Sequence, residues 1–165
     1  MSLAAAVDEA LEKSVVGSFS KVGILARARL WRWSPLDLEP LRGEIALVTG
    51  ASSGIGLYLA EQLVAAGCDV RLLVRSRAKT ENAVKGWPAK YPSGTWRIHE
   101  VDTSDLSSIK RFANEIAPEK SISLLVHNAG AITPAYSVNA DGIEMTAAAQ
   151  LVGPYLLTVL LKQQL

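Results

Sequence analysis

Ile45-Ala46-Leu47-Val48-Thr49-Gly50-Ala51-Ser52-Ser53-Gly54-Ile55-Gly56 joins a short apolar run to a turn that carries three glycines. Four consecutive apolar residues without polar alternation read as a strand buried on both faces. The glycines let the backbone turn sharply and approach a ligand closely. A helix is expected from about Gly56 to Ala66, and Gly67 sits where a glycine ends a helix. Amides exposed at the start of such a helix, helped by its dipole, suit an anionic diphosphate. The spacing is Gly-x-x-x-Gly-x-Gly rather than the commoner Gly-x-Gly-x-x-Gly. Its position between a buried strand and a helix is what gives it weight.

Outward from this turn the same alternation continues. Val70 to Val74 reads as a second buried strand, about 77–86 as a helix, and Trp96 to Val101 as a third strand. Ser104 or Asp105 caps a helix that runs to about Ala117 and stops at Pro118. Ile122 to Val126 is a fourth strand, and a loop with Pro134 leads to a long helix from about Gly142. Strands and helices in strict turn imply a parallel sheet covered on both faces. Right-handed crossovers make it an α/β, Rossmann-type doubly wound sheet of about four strands in the order 3-2-1-4.

The end of the second strand is where an adenine ribose would lie, roughly 20 residues past the glycine turn. An acidic residue there favours NAD(H). This sequence has Val74-Arg75-Ser76-Arg77. Arg75 can pair with a 2′-phosphate, and Ser52 or Ser53 can add a hydroxyl, so NADP(H) is expected over NAD(H). The alternative is that Arg75 and Arg77 are solvated loop charges. Val101-Asp102-Thr103 places a carboxylate where it accepts from an adenine amino group or caps the next helix. In His127-Asn128-Ala129-Gly130 the small residues leave room for a cofactor and the Asn amide can tie strand ends together. His127 reads as a packed strand-end residue. The cofactor-binding set is thus Gly50, Ser52, Ser53, Gly54, Ile55, Gly56, Arg75, Asp102, Thr103, Asn128, Ala129 and Gly130.

Together these residues resemble the short-chain dehydrogenase/reductase family over about 44–165. The turn Thr49–Gly56 resembles its cofactor fingerprint, Asp102 its adenine-contacting aspartate, and Asn128-Ala129-Gly130 its Asn-Ala-Gly motif. Asp141-Gly142-Ile143-Glu144 and Gly153-Pro154-Tyr155-Leu156-Leu157-Thr158 look like the retinol-dehydrogenase-like branch. The Trp- and Arg-bearing N-terminus is similar to members called dehydrogenase/reductase member 12-like. The resemblance implies hydride transfer between a nicotinamide and a carbonyl or alcohol, in the full-length protein one that is lipophilic. It also implies a Tyr whose phenol is shifted by a Lys four residues on, a Ser and a relay Asn. Tyr58, Tyr91, Tyr136 and Tyr155 are followed at that spacing by Gln62, Thr95, Ala140 and Val159. Gln150 stands where the relay Asn belongs. No catalytic residue is therefore assigned. The chain is expected to be the nucleotide-binding part of an oxidoreductase, ending before the catalytic segment and inactive by itself. A non-catalytic nucleotide-binding or interaction module is the alternative.

The remainder of the 165 residues sets bounds. A composition 49% hydrophobic and 20% charged is that of a globular domain, and a net charge of +1 gives no reason to expect nucleic acid. Cys68 is the only cysteine, and His99 and His127 lack partners at ligand spacing, so no metal is expected. One free thiol fits a reducing, cytoplasmic setting. Asp8, Glu9 and Glu12 argue against a secretory signal. Met145 to Leu161 is uncharged but short and broken by Gly153-Pro154, and reads as a buried helix. Residues 1–41 form a separate helical arm, with helices over about 3–16 and 20–33 before a loop with Pro35 and Pro40. The second helix mixes Lys21, Arg27, Arg29 and Arg32 with Val22, Ile24, Leu25, Leu30, Trp31 and Trp33. It reads as an arm packed on the domain 42–165 with its charges solvated, since Trp and Arg also cover apolar surface; a basic helix on a membrane surface is the alternative.

Overall fold

The computed structural model describes residues 3–34, 36–119 and 121–165. Its contacts divide the chain into two compact units, Met1–Asp37 and Leu38–Leu165. The first holds three short helices, α1 (Leu3–Glu12), α2 (Val15–Phe19) and α3 (Lys21–Leu30). The first expected helix therefore breaks near residue 13, and the second ends at Leu30. The breaks have a local cause: Ser14 and Ser20 each turn a hydroxyl onto a following amide, of Gly17 at 3.0 Å and Gly23 at 3.2 Å, and start a new helix. Pro35, expected in the loop, lies outside the described residues. Leu38 and Leu41 pack against the core of the second unit, so residues 38–41 go with it rather than with the arm.

The second unit runs β1 (Ile45–Thr49), α4 (Gly54–Ala65), β2 (Asp69–Val74), α5 (Arg77–Ala83), α6 (Trp87–Lys90), β3 (Thr95–Glu100), α7 (Leu106–Ile116), β4 (Leu124–Val126), α8 (Met145–Ala147), a π-helical turn (Ala148–Val152) and α9 (Gly153–Leu160). The four strands form one parallel sheet in the order β3-β2-β1-β4, with Ala46 level with Val70 and Leu124. Side chains alternate between two cores, as a sheet covered on both sides requires. Ala46, Val48, Val70, Leu72 and Val74 meet Ala60, Leu63 and Trp87 on one side; Leu47 and Leu73 meet Ile109, Phe112, Leu157 and Leu161 on the other. Arg71 is the exception within this apolar register. It is 1% exposed, ion-paired with Asp69 and bonded to Glu119 at 2.8 Å, which is how a buried guanidinium is tolerated.

Helix ends follow their capping chemistry. Gly67 has φ +88, its amide reaches Val64 O at 3.0 Å and the Cys68 amide reaches Leu63 O at 3.0 Å, the reciprocal pair that closes a helix through a glycine. Of the two residues expected to start α7, Asp105 is the cap, accepting from the Ser107 amide at 2.9 Å. The last helix begins at Met145 rather than Gly142. Gly142 has φ +75 and belongs to the preceding turn, and the Glu144 carboxylate accepts from the amides of Thr146 and Ala147 at 2.9 and 2.7 Å. The helix expected over 77–86 stops at Ala83, and Trp87–Lys90 adds a turn whose Trp87 meets Trp96 edge-on at 5.4 Å. No described helix is long and apolar enough to cross a membrane.

Candidate functional site

The site lies at the C-terminal ends of the four parallel strands. Thr49 closes β1, and its buried hydroxyl donates to Val126 O (3.3 Å) while accepting from the amides of Asn128 and Ala129 (3.0 Å each). Asn128 returns the link, its Nδ2 donating to Thr49 O at 3.1 Å and Gly50 O at 3.4 Å. β1 and β4 are thereby locked together at the point where the chain turns. Gly50 takes φ +67, and a Cβ there would come within 2.8 Å of Ala129 Cα. At Gly56 a Cβ would stand 2.3 Å from Asn128 Nδ2 and 2.6 Å from Gly50 O, so this glycine lets α4 seat against the lock. Gly54 differs: with φ +59, its Cβ position faces open space. No side chain caps the first turn of α4, which leaves its amides available to an anion.

A cleft of about 410 Å³ opens over this turn, within the range of small-molecule sites. Gly50, Ser52, Ser53, Arg75, Asp102, Thr103, Asn128, Ala129 and Gly130 all line it, from four separate strand ends. Gly54, Ile55 and Gly56 do not. Ile55 is 80% exposed and outside this lining, and Gly56 serves packing.

At the β2 end of the cleft the two arginines part ways. Arg77 is committed: its Nη2 donates to Ile98 O at 2.5 Å, its amide to Glu100 at 3.2 Å, and its Nη1 lies 3.9 Å from Glu81. Arg75 lines the cleft and forms no ion pair with another described residue. Lys79, one turn into α5, also lines the cleft and is equally free of acidic partners among the described residues. The sequence reading missed it because that reading stopped at the strand end; a cation one helical turn beyond Arg75 was the available signal. Asp102 accepts from the Ser104 amide and hydroxyl through Oδ1 alone, at 2.9 and 2.7 Å. It does not cap α7, since Asp105 does; its Oδ2 takes no hydrogen bond from another described residue, and the residue lines the cleft.

The far end is lined by Ala131, Thr133, Met145 and Ala149. Gln150 lies in the π-helical turn, and its Nε2 donates to Ala131 O at 2.8 Å, so its amide holds the loop after β4. Such turns inside helices gather at functional sites. His127 is turned away from this lining. The Thr158 hydroxyl donates to Pro154 O at 2.9 Å, so His127 Nε2 is the donor in its 2.8 Å contact with Thr158. Burial holds His127 below the usual imidazole range, as befits a neutral packing residue.

The profile described as short chain dehydrogenase matches residues 44–165, the whole of this sheet and its helices. The chain belongs to that family. Mouse retinol dehydrogenase 11 is 38% identical over 126 residues, covering 76% of this chain and 40% of that protein. Human dehydrogenase/reductase SDR family member 12 is 34% identical over 125 residues, covering 75% of this chain and 39% of that protein. Among solved structures, a metagenomic short-chain oxidoreductase in complex with NADP superposes with a TM-score of 0.62 at 31% identity, over 73% of this chain and 55% of that one. The chain thus spans about 40% of the length of these curated relatives. Membership in this family brings a nicotinamide dinucleotide as the cofactor class.

Proposed function

We propose that this short-chain dehydrogenase chain holds NADP(H) as the nucleotide-binding part of an oxidoreductase acting on a carbonyl or alcohol, in the full-length protein a lipophilic one. The carrying observation is Arg75, a cation without an ion pair on the rim of the cleft where an adenine ribose belongs. The remaining residues fit the rest of the molecule. The amides of the Gly50–Gly56 turn take the diphosphate, the free Oδ2 of Asp102 accepts from the adenine amino group, and Asn128-Ala129-Gly130 form the floor toward the nicotinamide. When bound, the dinucleotide supplies or accepts the hydride. The chain's residues bind and orient it, and none of its tyrosines has a lysine four residues on to supply the proton. That the metagenomic relative was solved with NADP supports the choice of dinucleotide.

The arm is read as the part of the chain that meets a membrane surface, the protein otherwise standing in the cytoplasm. Phe19, Trp31 and Trp33, exposed by 85, 47 and 58%, support this. For the cofactor the test is titration calorimetry of the folded chain with NADPH, NADH and ADP. NADPH should bind at least about ten-fold more tightly than NADH, the worth of one or two charge-assisted hydrogen bonds. Equal affinities overturn the NADP(H) reading, and no heat with any dinucleotide overturns the function.

A further inference from the structure

Helix α3 is built inside out. A surface helix normally turns its apolar stripe inward and its charges to water. In α3 the one buried position is Gly23, and beside the half-buried Ala28 and Leu30 the inward side holds Arg27, whose Nε donates to Asp8 at 2.5 Å and whose Nη1 donates to Ser18 O at 3.2 Å. Val22, Ile24 and Leu25 are 72, 54 and 59% exposed. The cause is the close approach of α2: a Cβ on Gly23 would lie 1.7 Å from Gly17 O. Backbone and an ion pair therefore fill the space that aliphatic side chains would otherwise occupy, and those side chains are left outside.

The charge pattern gives a second, independent observation. From Lys13 to Leu36 the sequence holds five cations and no Asp or Glu. Arg27 is neutralised by Asp8 and Lys13 by Glu9, while Lys21, Arg29 and Arg32 have no acidic partner among the described residues. Lys21 and Arg29 share the exposed face of α3 with Val22 and Leu25, so their stems lie along apolar surface and their heads reach beyond it. A nucleic acid would satisfy the cations but leave the aliphatic face in water. Only a surface that is oily below and negative above satisfies both.

We propose that α3 and Trp33 seat on an anionic lipid bilayer, with Val22, Ile24 and Leu25 below the headgroups and Lys21, Arg29 and Arg32 at their negative groups. This rests on the reading that the arm meets a membrane, and adds the lipid class. The test is flotation of the full chain with vesicles of phosphatidylcholine alone and of equimolar phosphatidylcholine and phosphatidylserine. The serine-lipid vesicles should bind the chain roughly ten-fold more strongly or better, and raising the salt well above physiological strength should release it. The paired variant Lys21→Glu, Arg29→Glu should lose that advantage, with dinucleotide affinity as the check on its fold. Binding to both vesicles alike, insensitive to salt, overturns the anionic assignment and leaves the membrane reading standing. Binding to neither overturns both, the exposed face then being one that protein covers.

Discussion

Gly54 and Gly56, two residues apart in the same turn, have opposite jobs, and substitution separates them. At Gly54 a methyl enters open space, so Gly54→Ala costs only the left-handed backbone, about 1–2 kcal/mol, and should fold. Under the proposed diphosphate role of the turn, its further penalty falls on ligand binding. At Gly56 the methyl meets Asn128 Nδ2 and Gly50 O, and overpacking of that kind costs roughly 1–3 kcal/mol. Gly56→Ala should thus lower the melting temperature clearly more than Gly54→Ala, and calorimetry on the two variants checks the order. Arg75→Asp should cut NADPH affinity by more than about ten-fold while sparing NADH; unchanged NADPH binding would remove the phosphate role. Lys79→Ala should lose part of the same preference and Arg77→Ala should lose stability instead, because the Arg77 guanidinium is tied to Ile98 O. That difference was not legible in the sequence, where Arg75 and Arg77 are two identical side chains in one loop. Spacing pointed to the loop after β2, but only the path of β3 decides which of its cations is already engaged.

At the scale of elements, the β1-turn-α4 unit and the strand order were legible because buried parallel strands write themselves as uninterrupted apolar runs. Less legible were the elements whose limits depend on a single side chain. Ser14 and Ser20 break the arm, Glu144 moves the start of the last helix, and the π-helical turn around Gln150 has no sequence period at all. Asn128 was read as a residue that ties strand ends together, and it does so between β1 and β4. The pairing of β3 with α7 carries a pH dependence. His99 on β3 lies edge-on to Phe112 of α7 at 5.2 Å, with Nδ1 3.0 Å from Glu115 and Nε2 buried without a partner among the described residues. Burial pushes its pKa down and the Glu115 carboxylate pushes it up, while Arg71 and Arg77 also press downward; burial prevails, and the folded value lies below 6.5. The unfolded chain then takes up the proton first, so this contribution is complete above about pH 6.5 and is lost as pH falls toward the lower folded value. His127 acts in the same direction. Stability measured by denaturant at about pH 7.5 and 5.5 should fall on acidification, and His99→Gln should flatten the slope. An unaltered slope in that variant would show that folding leaves the His99 pKa unchanged.

For the molecule as a whole, the decisive fact is what the 165 residues bring together and what they do not. Four strand ends meet in one cleft lined by the glycine turn, the Asp102 carboxylate and two cations, Arg75 and Lys79, that have no ion pair among the described residues. β4 stands at the end of the sheet with its outer side unpaired by any described strand, and Leu124, Leu125 and Val126 are only half-buried. Such an edge is open to pairing with further polypeptide. On the proposed function, binding and chemistry separate in this polypeptide. Holding the dinucleotide would need the turn, the rim cations and the floor of the cleft. Reducing a carbonyl also needs a proton donor, and a phenol of pKa about 10 serves near neutral pH only beside a cation that shifts it. Tyr58, Tyr136 and Tyr155 are exposed by 65, 83 and 70%, and Tyr91 instead donates its hydroxyl to Glu61 at 3.1 Å. The purified chain should accordingly quench or shift NADPH fluorescence on binding, yet leave its absorbance unchanged over hours with aliphatic aldehydes, ketones or retinoid carbonyls. Turnover at an ordinary enzymatic rate, abolished by replacing one of these tyrosines, would show that a proton donor works here without the lysine.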